Sequence, residues 1–160
     1  MLSLASVAAQ GVLYWLNGSR IALKLRWSMT GPGGFITLDL DKTDHFPNLM
    51  AQGYMGPYLA VEVTNKGRGE TNIVGVKAVL DSGIGIIPTS VSVPFNPSFP
   101  DLLRPHSQVT LHVPHAMIEA AAKASRQVLP AHTAPFTAKM EVAFGNGKKR
   151  TTKASITVPR

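Results

Sequence analysis

At 160 residues the chain has the length of one domain with a single sizeable core, and its lack of cysteine excludes disulfides and thiolate metal sites. Only 16% of residues are charged, against about 25% in an average globular protein, while 12 prolines and 14 glycines suit an all-β chain with many turns. The net charge of +7 is uneven: residues 139–160 carry six basic side chains against the single acid Glu141. Such an end can meet nucleic acid, anionic lipid or an acidic protein surface, or serve only as a solvated hairpin tip.

Residues 1–16 read as a short apolar helix, ended by the helix-stopping pair Asn17-Gly18. The run is shorter than the ~20 residues of a bilayer span, and Ser3, Ser6, Gln10 and Gly11 dilute it. No basic residue precedes it, as a secretory signal would require. Its apolar side chains must bury against something, so residues 1–19 are expected to form an arm that docks on a partner or on its own domain. Leu2, Leu4, Val12, Leu13, Tyr14, Trp15 and Leu16 are the partner-binding candidates of this arm. Lys148, Lys149, Arg150 and Lys153 are those of the basic end.

From Arg20 the period changes to two. Ile21, Leu23, Leu25, Trp27 and Met29 fall on one face of a strand, with Arg20, Lys24 and Arg26 on the other. A turn at residues 30–34 leads to a second strand over residues 35–40. Residues 41–57 lack a clear period and read as a long excursion. Leu59, Val61 and Val63 alternate, Asn65-Lys66-Gly67-Arg68-Gly69 break the pattern with residues that tolerate left-handed backbone angles, and Val74, Val76, Ala78 and Leu80 restart it. These two runs predict a paired couple of strands around a glycine-rich connection.

Residues 86–93 read as a further strand at an edge, because Pro88 interrupts it, and residues 94–105 as a rigid proline-rich connector. Val109, Leu111 and Val113 alternate. Pro114 then opens an Ala-rich helix over residues 115–128, with Glu119 and Lys123 spaced as an i,i+4 pair. Phe136, Ala138, Met140, Val142 and Phe144 alternate, Gly145-Asn146-Gly147 turns, and Ala154, Ile156 and Val158 alternate back. Seven or eight strands with short turns predict an all-β, two-sheet antiparallel sandwich over residues 20–160, carrying one inserted helix.

The run Val61 to Glu70, the segment Leu103-Arg104-Pro105-His106-Ser107 before an alternating strand, and the final hairpin together resemble small immunoglobulin-like β-sandwich proteins. Such proteins are encoded by high-GC Gram-positive bacteria and by their tailed bacteriophages. A short apolar N-terminal helix before a strand like Arg20–Trp27 is similar too, and the resemblance covers most of the chain from about residue 12. Two departures stand out: His106 where glycine is usual, and the Ala-rich helix. For the phage members the resemblance implies a virion part, such as a head-decoration or tail-associated protein.

The sequence carries few residue patterns that suit catalysis or metal binding. There is no Gly-x-Ser-x-Gly, and the Gly145-Asn146-Gly147-Lys148 run lacks the spacing and the following helix of a phosphate loop. His112 is expected to face solvent, opposite Leu111 and Val113, and no third ligand completes a metal site with His115. Asp39, Asp41 and Asp44 lack the glycine and distal glutamate of a calcium loop, and read as a charged turn. The basic hairpin has no interleaved aromatic platform for nucleic acid, which makes nucleic acid a minor expectation.

The expectation is therefore a module without enzymatic activity, cofactor or metal, whose partners are proteins of an assembly, capsid or tail proteins or further copies of itself. Its place would be the virion if phage-encoded, and otherwise the cytoplasm or a membrane. The alternative is a membrane-surface module, with residues 1–16 lying in a bilayer interface and Arg20, Lys24 and Arg26 near anionic headgroups.

Overall fold

A computed structural model describes residues 18–89, 93–129 and 133–158. The N-terminal arm lies outside the described residues, except for its last two positions. The described chain builds two antiparallel sheets. The first has the order β2-β1-β3-β7, formed by β1 (Ile21–Gly31), β2 (Gly34–Leu38), β3 (Met55–Asn65) and β7 (Gln108–Pro114). In the second, β4 (Thr71–Leu80) and β8 (Phe136–Phe144) lie at the centre. Each of its edges is shared by two short strands: β5 (Gly85–Ile86) and β6 (Asp101–Leu103) beside β4, β9 (Lys149–Thr151) and β10 (Ile156–Val158) beside β8.

Period-2 alternation explains the layering. Leu25 and Trp27 of β1, Leu59, Val61 and Val63 of β3, and Leu111 and Val113 of β7 are buried on the inner face of the first sheet. Val76, Ala78 and Leu80 of β4 meet them from the second sheet, together with the five alternating residues of β8, all five buried. This is the β-sandwich that the hydrophobic pattern predicts. The helix α2 (His115–Val128) has the predicted bounds, and its buried Ile118 and Ala122 pack across strands of both sheets. Glu119 approaches His115 one turn back, at 3.5 Å.

Several expectations are corrected. β3 and β4 do not pair; they lie in different sheets, and the 66–70 connection crosses from one layer to the other. Both runs present apolar faces, and these faces meet across the core rather than side by side. Gly67 owes its identity to a close approach rather than to a left-handed angle: a Cβ there would lie 2.2 Å from the Gly18 carbonyl oxygen and 2.5 Å from the Arg20 nitrogen. Asn65, wholly buried, ties this crossing together. Its Oδ1 accepts from Gly67 N at 3.0 Å and Arg20 N at 3.2 Å, and its Nδ2 donates to Gly69 O at 2.7 Å.

A register irregularity between Ile73 and Gly75 turns Val74 outward and Ile73 inward, against the simple alternation. The 41–57 excursion contains a 3-10 turn (Thr43–His45), a short helix α1 (Phe46–Ala51) and the start of β3. Of the 86–93 strand, only Ile86 among the described residues lies in a strand, β5, while residues 90–92 are outside the described residues; the proline-rich connector contains β6. On the return of the last hairpin Ala154 is exposed. Thr152 is buried instead, its hydroxyl accepting from Met140 N at 3.2 Å and donating to Ala154 O at 2.9 Å.

Candidate functional site

The outer face of the first sheet is covered rather than bare. Cross-strand pairing aligns His112, Ala60 and Arg26 in one row, with Tyr58 and Ser28 in the next. The small Ala60 and Ser28 leave room for rings to lie over the sheet. Phe35 of β2 stacks on His112 with centroids 4.9 Å apart, and Phe95 of the connector meets the same ring edge-on at 5.0 Å. His112 is therefore 2% exposed instead of solvent-facing; parity gave its direction correctly but not the lid above it. Burial pushes the imidazole from its ordinary 6.5 down to about 4. Its Nδ1 lies 3.2 Å from Asn96 Oδ1, while Nε2 has no partner among the described residues.

Beside this cluster sits a charge network. Arg26 binds Asp39 closely and reaches Glu62 at 3.3 Å, and Lys24 lies 3.5 Å from Asp39. Asp39 thus serves the sheet surface, whereas Asp41 and Asp44 pair with Lys42 and His45 in the following turn. Among the described residues no group of three histidines, aspartates or glutamates is placed to hold a metal ion.

His115 lines a cleft of about 310 Å³ with Tyr58 and Glu119, and its ring meets Trp27 edge-on at 5.1 Å. Burial lowers its pKa, and the Glu119 charge partly opposes this. Among the described residues the lining of this cleft includes no serine, threonine, cysteine or lysine.

The basic end is divided between two surfaces. β9 pairs with β8 as Lys149 opposite Ala143, Arg150 opposite Val142 and Thr151 opposite Glu141. Alternation then sends Lys149 to the outer face of the second sheet and Arg150 to the inner side. Arg150 crosses the open flank of the sandwich and donates to the Ile21 carbonyl at 2.8 Å. Arg150 and Lys153 line that flank, an opening of about 910 Å³ against Ile21, Leu23 and Leu25. Lys148 sits at the exposed turn, where its backbone N–H donates to Asn146 Oδ1 at 3.0 Å. Of the predicted partner-binding set, the seven residues of the N-terminal arm lie outside the described residues.

No pattern in the sequence marks the outer face of the second sheet as a site. Gly75 and Ala143 pair there and form the floor of a groove of about 310 Å³. Val74, Ile87 and Phe99 wall it and remain 45%, 68% and 36% exposed. Lys77 and Lys149 stand along it and share one carboxylate, Glu141, at 3.2 and 3.9 Å. The residues come from five separated stretches of chain, and the one local sign, an outward Val74, is hidden by an alternation that reads it as inward. A basic rim around wet apolar side chains suits adhesion to another surface. Comparison with known proteins brings no kinship to this arrangement: no family model matches the chain, and neither does any curated protein or solved structure.

Proposed function

We propose that the chain is a non-enzymatic, immunoglobulin-like structural module of an assembly, most simply a capsid-decoration or minor structural protein of a tailed bacteriophage. The observation that carries the attachment role is the outer face of the second sheet, where large apolar side chains stay exposed beside lysines. The virion context comes from the resemblance of the Val61–Glu70 run, the Leu103–Ser107 segment and the final hairpin to phage-encoded sandwiches. In this reading the sandwich is a rigid body, and its net charge of +7 complements acidic shell proteins. No helix among the described residues is long and apolar enough to cross a membrane.

Quantitative mass spectrometry of purified particles from a culture carrying the gene tests the proposal. The chain should copurify with the shell proteins at a fixed ratio. Its absence from particles, with recovery only in the cell lysate, would remove the virion role.

A further inference from the structure

We propose that the groove on the outer face of the second sheet, between Gly75, Ile87, Phe99 and Lys149, binds an acidic, apolar peptide segment of a partner protein. This rests on the reading of the chain as an attachment module and adds the place and chemistry of attachment. Three observations carry it. Its floor is open: a Cβ added at Gly75 would meet no atom within 4 Å, although the residue lies mid-strand. Its walls are wet: Val74, Ile87 and Phe99 each keep more than a third of their surface in water, a cost that a bound apolar side chain would remove. Its rim is positive: Lys77 and Lys149 divide one carboxylate between them, and Lys139 follows on the same face of β8.

Charge decides the occupant. A second copy docked face to face would oppose two surfaces that each carry Lys77, Lys139 and Lys149, in a chain already at +7. Nucleic acid would satisfy the lysines but leave the apolar walls exposed. A segment alternating aliphatic or aromatic side chains with Asp or Glu matches both walls and rim, its apolar groups entering above Gly75 and its carboxylates reaching Lys77 and Lys149.

The test uses the full chain and two fluorescent synthetic peptides with the same Leu and Phe residues, one interspersed with Glu and the other with Lys, followed by anisotropy. The acidic peptide should bind about tenfold tighter than the basic one and weaken as salt is raised. Gly75→Val fills the groove without displacing backbone, and Lys149→Glu inverts its rim. Each should reduce binding about tenfold or more while leaving the circular dichroism spectrum unchanged. Equal binding of both peptides, no binding, or binding that survives Gly75→Val would overturn the assignment. So would a dimer in sedimentation that Gly75→Val dissolves, or Overhauser contacts in the free chain from the Ile87 methyls to Leu13 or Leu16. Peptide binding by a chain absent from particles would leave the groove assigned and remove the virion role. Presence in particles without peptide binding would remove the groove alone.

Discussion

The side chain of Asn96 pairs with the main chain of His112 as a neighbouring strand would: its Nδ2 donates to His112 O at 2.8 Å, and its Oδ1 accepts from His112 N at 2.8 Å. β7 is the edge of the first sheet, and one amide group closes a hydrogen-bonded ring on it midway along. The same contact pins the connector that carries Phe95 over the aromatic cluster. Asn96→Ala should lower unfolding free energy by about 2–4 kcal/mol in urea titration, since two part-buried main-chain groups lose their partners. Asn96→Asp, which cannot donate to the carbonyl, should cost a comparable amount at neutral pH.

Acid should act through His112. The folded chain keeps this imidazole neutral down to about pH 4, whereas the unfolded chain protonates it at its ordinary 6.5. Between these values the unfolded state binds more protons, so stability falls as pH drops from 6.5 to about 4 and is independent of this group above 6.5. The loss attributable to it is at most about 3 kcal/mol. His115, also lowered by burial, contributes with the same sign. The difference between the parent and His112→Phe therefore isolates the effect: urea midpoints of the variant should vary less with pH over this range.

His106 is the one described residue other than glycine with a positive φ, at 56°. It stands in the turn where Ser107 N–H donates to the Arg104 carbonyl, and it is exposed. Side chains are disfavoured in that conformation by about 1–2 kcal/mol, part of which glycine gives back through its greater freedom in the unfolded state. His106→Gly should raise the thermal midpoint, with a net gain of roughly 0.5–1 kcal/mol.

Two glycines make opposite predictions. Gly67→Ala would drive a methyl into the backbone at Gly18 and Arg20, so it should destabilise by more than about 2 kcal/mol or prevent folding. Gly75→Val adds a side chain over open space in a strand, where glycine is the weaker former, and should be neutral or stabilising by up to about 1 kcal/mol. Parallel thermal melts of the two variants check both.

Much of the sandwich is legible as alternation. β1, β3 and β8 carry long period-2 runs, and the alanines between Ala116 and Ala124 announce α2. Alternation reports which face a residue occupies, however, and not which strand lies beside it. That is why β3 and β4 read as partners although they belong to different layers. Parity is also blind to one extra residue: the irregularity after Ile73 moved Val74 to the surface and so created a wall of the groove. α1 has six residues, less than two turns, too few for a helical period to emerge. Parity reports only the direction of His112, because Phe35 and Phe95, which cover it, are distant in sequence. Gly67 reads in the sequence as part of a break between strands, but its reason is contact with the Gly18–Arg20 backbone, which only folding brings there.

Zero-length carbodiimide cross-linking of purified particles, read by mass spectrometry, tests attachment most directly, because it joins an amine only to a carboxylate in contact with it. Lys77, Lys139 and Lys149, which share the outer face of the second sheet, should dominate the links to a second protein and should join acidic residues flanked by apolar ones. Links confined to other lysines such as Lys24, Lys66 or Lys123, or none to any other protein, would contradict the account.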